Sequence, residues 1–133
     1  MPPEPPSLHK VLRCLWDGLA KAVGEPQDPL RTPALGTSDS TGSHTRTVIL
    51  RGAEQGDRRL IAYTDNRSRK VRQLAFNPRA SWLFYDPDLR RQIRMEGPAE
   101  THTDDRLADD AWAGLSEPGR RLYAGPPPGG PAN

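Results

Sequence analysis

Apolar residues from Ser7 to Val23 recur at helical spacing. Leu8, Val11, Leu12, Leu15, Leu19 and Ala22 share one side, with Lys10, Arg13, Asp17 and Lys21 largely opposite. Ser7 stands where a cap is needed and Gly24 where a helix stops. Beyond Gly24 the period shortens. Ala34–Thr37 reads as a strand before a hairpin turn, and Thr45–Arg51 alternates with β-branched Thr47, Val48 and Ile49 as a second strand. Leu60–Thr64 is predicted to pair with that second strand across the turn Gly52–Asp57. Ser68–Phe76 returns to helical spacing, with Val71, Leu74 and Ala75 as its apolar face and Asn77-Pro78 as its stop. Ala80–Tyr85 is a strand, Asp86-Pro87-Asp88 a turn, and Arg91–His102 a long strand bent at Gly97-Pro98. Thr103-Asp104-Asp105 is placed to cap a last helix to about Leu115. Short strands at hairpin spacing with outlying helices predict a mainly β chain, a small antiparallel barrel with helical additions.

Composition sharpens this in three places. At 133 residues the chain is long enough for one modest core, predicted as a single domain over 7–123. Proline and glycine concentrate outside it, in an N-terminal arm over 1–6 and a tail over 124–133, both expected to be disordered. The lone Cys14 excludes an intramolecular disulfide framework and is expected as a buried thiol on the first helix. No apolar run is long enough to cross a membrane, and the N-terminus lacks the regions of a signal peptide, so a cytoplasmic location is expected. Net charge is +2 overall, but residues 46–94 hold eleven arginines and Lys70 against five acids, a local +7. A basic centre in a near-neutral chain points to a local anionic ligand. Nucleic acid is disfavoured, because no recognition helix or aromatic stacking platform accompanies the arginines.

The turn from Tyr63 to Lys70 carries an Asp-Asn pair, a hydroxyl and three cations between a strand and a helix start. Two readings are open for it: a solvated charged turn, or a phosphate cradle built from helix N–H groups and flanking cations. Elsewhere, templates for catalysis are missing. There is no nucleophile elbow, Walker loop, Gly-x-Gly-x-x-Gly or Cys-x-x-Cys. His9, His44 and His102 have no metal-ligand spacing, and the paired aspartates near 104–110 suit helix capping, so no metal is expected. A phosphate site without a reactive constellation fits a cofactor that brings the chemistry. Arg46 and Arg51 bracket one strand, Arg69 and Lys70 follow the turn, and Gln92 sits in a cationic strand where its amide offers both donor and acceptor.

The ordered set Arg46-Thr-Val-Ile-Leu-Arg51, Tyr63-Thr64, Ser68-Arg69-Lys70, Asn77-Pro78-Arg79 and Arg91-Gln92, with the turn Tyr85-Asp86-Pro87, resembles the FMN-binding core of the pyridoxamine 5'-phosphate oxidase family, oxidase-related branch. The resemblance covers about residues 30–102. It implies a split β-barrel homodimer with FMN in a cleft between subunits. It implies that Arg46, Thr47, Val48, Ile49, Leu50, Arg51, Tyr63 and Thr64 line the flavin, that Arg69 and Lys70 hold its phosphate, and that Gln92 contacts it. It further implies flavin-dependent oxidation of a small molecule. Two departures qualify the activity. Arg51 stands where the oxidases have a substrate-contacting lysine, and the family's Tyr…Arg…Ser set does not align onto 111–123. The segment with a Trp and an Arg that helps enclose the flavin is also missing, so the barrel is expected to lack its C-terminal strands. The catalytic residues are left unassigned, and a non-catalytic module binding FMN, haem or a deazaflavin is the alternative.

Overall fold

The computed structural model describes residues 7–65 and 67–102. The arm, Asn66, the expected last helix, region 111–123 and the Pro/Gly tail lie outside the described residues. The elements are helix α1 (Leu8–Val23), a 3₁₀ turn (Pro29–Arg31), strands β1 (Ala34–Asp39), β2 (Gly42–Thr47), β3 (Gly52–Glu54) and β4 (Arg59–Ile61), helix α2 (Arg69–Phe76), and strands β5 (Arg79–Asp86) and β6 (Arg91–Pro98). Four strands form one sheet in the order β2-β1-β5-β6, and β3 and β4 form a separate pair. The β3–β4 pair is antiparallel with Gly52 opposite Ile61 and Glu54 opposite Arg59. The two-residue connection from β1 to β2 permits only an antiparallel pair.

The chain divides into two compact units. The first comprises the described part of Met1–Ala34 with Thr47–Ala62 and Leu83–Ile93; the second comprises Leu35–Arg46, Tyr63–Trp82 and the described residues that follow Ile93. In the first unit α1 begins as its sequence dictates, with Ser7 Oγ accepting from the Lys10 N–H at 3.2 Å, and Gly24 closes it. Trp16, Leu19 and Ala22 of α1 are buried, as are Leu30, Val48, Leu50, Phe84 and Ile93 of the same unit. Burial of a large aliphatic or aromatic side chain stabilises by about 1.5–3 kcal/mol. The β5–β6 connection is held by Asp86, whose Oδ1 accepts from the N–H groups of Asp88 (3.0 Å) and Leu89 (3.3 Å). In the second unit Leu35 and Ala80 are buried together with Thr37, Ser68 and Gln73.

Four expectations change. The strand over Thr45–Arg51 is not continuous: β2 ends at Thr47. After it the Val48 N–H donates to the Pro33 carbonyl (3.0 Å) and the Leu50 N–H to the Arg31 carbonyl (2.7 Å), partners outside any neighbouring strand. The hairpin expected of this stretch is formed instead by the residues that follow it, β3 with β4. The long strand stops at Pro98 rather than His102, because proline cannot donate to a ladder. Helix α2 does not bury Val71, Leu74 and Ala75; its buried residue is Gln73. Cys14 is exposed, since α1 turns Trp16 and Leu19 inward.

Candidate functional site

Five of the expected ligand residues fall in the second unit: Arg46 ends β2, Tyr63 and Thr64 precede the turn, and Arg69 and Lys70 open α2. Ser68 occupies the N-cap of α2 in an extended conformation. Its buried hydroxyl bonds Thr64 Oγ1 at 3.2 Å and caps no helix N–H, so the first turn of α2 has no side-chain acceptor from it. On the other side of the turn Asp65 is taken by Arg67, whose backbone N–H and Nε each donate to Oδ1 at 2.9 Å and whose Nη2 pairs with Oδ2. The Arg67 hydrogen bond holds the Asp65 carboxyl down at about 2.

Arg46 is anchored rather than splayed into solvent. Its Nη1 donates to the Leu35 carbonyl (3.1 Å), Thr37 Oγ1 (2.8 Å) and the His44 carbonyl (3.3 Å), and its Nη2 donates to Gln73 Oε1 (2.6 Å). Burial pushes the guanidinium down from its ordinary pKa. Lys70 is pushed down as well, first by burial and then by the charge of Arg46, with Asp65 pulling the other way. Among the described residues neither cation has an ion pair, and the nearby Asp65 is already forked by Arg67. Two partly desolvated cations close enough to repel, with no carboxylate of their own, form a site that a dianion relieves. That charge arrangement fits a phosphate monoester.

Beside it, the β1–β2 hairpin and α2 enclose an open groove of about 410 Å³ with Asp39 and His44 on one wall and Arg69, Arg72 and Gln73 on the other. The Asp39 carboxyl is held down at about 2, first by Thr41 and then by His44. Its Oδ1 accepts from Thr41 Oγ1 at 2.6 Å and lies 2.9 Å from His44 Nε2. Thr41 Oγ1 also lies on that same His44 nitrogen, at 3.1 Å. A catalytic triad needs its two partners on different ring nitrogens, so this cluster is a turn brace.

The other six expected residues, Thr47, Val48, Ile49, Leu50, Arg51 and Gln92, belong to the first unit. Val48 and Leu50 are core side chains, Ile49 and Arg51 are half-buried, and Thr47 and Gln92 are exposed. The Arg51 N–H joins the β3–β4 pair through the Ile61 carbonyl at 2.8 Å. Sequence reasoning did not single out Thr37 and Gln73. The available signal was spacing, since Gln73 lies one helical turn after Arg69 and Lys70 and so near the cationic side of α2.

The two sheets and two helices have the fold of split-barrel FMN-binding proteins, as solved structures show. A pyridoxamine 5'-phosphate oxidase-related, FMN binding protein from Nostoc punctiforme superposes with a TM-score of 0.73 at 28% identity, covering 90% of this chain and 66% of that one. PhzG from Burkholderia lata, solved with tetrahydrophenazine-1-carboxylic acid, gives 0.70 at 29% identity over 90% of this chain and 57% of its own. The family model for the pyridoxamine 5'-phosphate oxidase FMN-binding domain matches residues 14–103. The chain belongs to the pyridoxamine 5'-phosphate oxidase family, and its matched region is that family's FMN-binding domain. A pyridoxine/pyridoxamine 5'-phosphate oxidase of Pseudomonas paraeruginosa is 36% identical over 121 residues, 90% of this chain and 54% of the relative. The chain thus spans about half the length of the curated relatives it matches. Among the described residues no helix is long and apolar enough to cross a membrane, and no cluster suits a metal ion.

Proposed function

We propose that this chain holds FMN by its phosphate through Arg46, Arg69 and Lys70 and serves as a cytoplasmic flavin-dependent oxidoreductase acting on a small molecule. The observation that carries the reading is that half-buried Arg46, held by Thr37 and Gln73, and half-buried Lys70, in the first turn of α2, both lack a carboxylate ion pair among the described residues. Charge-assisted hydrogen bonds contribute about 1.5–3 kcal/mol each, so three supply roughly 5–9 kcal/mol, and micromolar binding needs about 8. Burial of the flavin ring must add to that. Tyr63, Thr64, the segment Thr47, Val48, Ile49, Leu50 and Arg51, and Gln92 are assigned to the ring by the family resemblance. Val48 and Leu50 are turned into the core, so they act by holding the backbone of that segment. When bound, FMN supplies a two-electron acceptor that oxygen can regenerate.

The working form is a homodimer with FMN at the subunit interface. Supporting it, Leu83 and Tyr85 of β5 are 40% and 54% exposed, with Gln92 of β6 also outward. Exposed apolar residues grouped on one sheet face suit a second copy of the chain. A second reading, a flavin-binding module without turnover, is favoured by Arg51, which replaces the lysine expected of a true oxidase. Titration of the purified protein with FMN tests the binding reading, followed by flavin absorbance and fluorescence. Saturable binding is expected, and a protein that gains no flavin absorbance after dialysis against FMN contradicts it. Turnover of pyridoxamine phosphate by the loaded protein separates enzyme from module.

A further inference from the structure

Gln73 is the one residue of α2 that is buried, at 6% exposure, and it is polar. Its Oε1 accepts two short hydrogen bonds, from Arg46 Nη2 and from Thr37 Oγ1, both at 2.6 Å. Thr37 Oγ1 accepts in turn from Arg46 Nη1 at 2.8 Å. Three side chains from β1, β2 and α2 therefore close a hydrogen-bonded ring around one end of the guanidinium. The Leu35 and His44 carbonyls complete the demand on Nη1. A guanidinium has five N–H donors in a rigid fork. The Nε–H and the second Nη2–H of Arg46 have no partner among the described residues. Those two hydrogens point the same way, and such a parallel pair grips a phosphate with two bonds at once.

We propose that Gln73 is the positioning residue of the phosphate site: with Thr37 it fixes Arg46 so that the Nε/Nη2 edge, and not the Nη1 end, is offered to the anion. The proposal rests on the reading of this unit as the site of the FMN phosphate. Fixing a long side chain in advance removes rotamer freedom that binding would otherwise have to overcome. A neutral amide suits the task. A glutamate at this position would accept the same bonds but would cancel the charge that the phosphate is to meet.

The test compares dissociation constants for FMN and riboflavin, which differ by the phosphate, across wild type, Gln73→Met, Arg46→Met and the double variant. Gln73→Met is expected to weaken FMN by about tenfold while riboflavin shifts by less than about twofold. Because Gln73 acts through Arg46, the double variant is expected to lose no more FMN affinity than Arg46→Met alone. Thr37→Val, nearly the same shape, is expected to give a smaller loss in the same direction, and it carries the test if Gln73→Met does not fold. Equal losses for both flavins, or losses that add in the double variant, overturn the positioning role. A wild type that holds FMN no tighter than riboflavin overturns the phosphate site itself. A preserved FMN preference in Gln73→Met and Thr37→Val, with the wild-type preference intact, overturns this inference alone.

Discussion

The unit that carries α1 buries Trp16, Leu19, Leu30, Leu50, Phe84 and Ile93 with one charged side chain, Asp86, whereas the unit that carries α2 buries three polar side chains, Thr37, Ser68 and Gln73, beside Leu35 and Ala80. Apolar burial is the dominant favourable term in folding. Buried polar groups must each find a partner and add little net stability. In the second unit those partners are the guanidinium of Arg46 and the hydroxyl of Thr64. The first unit is mostly apolar inside, and the second accepts buried polar side chains with the half-buried cations Arg46 and Lys70 beside them. Substitutions should therefore divide by unit, the first read out in denaturation and the second in ligand binding.

The largest effect is expected at Phe84, which is 0% exposed in the apolar unit. Phe84→Ala should cost about 3–5 kcal/mol through lost burial and the cavity it leaves, measured by denaturant unfolding. A loss below about 1 kcal/mol would mean that this unit does not hold the fold. Next in size, Arg69→Ala with Lys70→Ala should weaken FMN by roughly a hundredfold and leave the unfolding midpoint nearly in place. The opposite pattern, a stability loss with FMN retained, would erase the contrast between the units. Ser7→Ala removes the one side-chain cap of α1 and should cost about 1 kcal/mol, seen as a lowered Tm.

The smallest effect concerns pH. Thr41 and His44 hold the Asp39 carboxyl at about 2 instead of 3.8. A depressed carboxylate stabilises the fold above its unfolded pKa, and that contribution fades as pH falls through the folded value. Wild type should therefore exceed Asp39→Asn in stability above about pH 3.8 and lose the advantage by about pH 2. A difference that persists unchanged to acid pH would remove the turn brace from the account.

How much of this was legible in the sequence follows the same division. Helix α1 could be read with its caps, which are local signals, but of its apolar face only Leu19 and Ala22 are buried, while Leu8, Val11 and Leu12 are exposed and Trp16 is turned inward. Strand β5 could be read as well, where alternation sets Phe84 in and Tyr85 out. The stretch after Thr47 reads as a strand because its β-branched residues suit one. Its backbone partners Pro33 and Arg31 are distant in sequence, and local pattern carries no record of them. The buried face of α2 is not legible in its apolar pattern for a related reason. Gln73 is inside because Thr37 and Arg46 meet it there, 36 and 27 positions earlier in the chain. A count of apolar residues cannot see a buried polar pair. Arg69 and Lys70 were legible as part of a charged turn, but the approach of Arg46 to Lys70 and the partial burial of both needed the fold.

The central claim is that the cations of the α2 unit form a phosphate site, and calorimetric titration of the wild-type protein with FMN and riboflavin, each at rising inorganic phosphate, tests it most directly. The account predicts that FMN binds at least about tenfold more tightly than riboflavin and that phosphate weakens FMN alone. Equal affinities, or an equal effect of phosphate on both flavins, would contradict it.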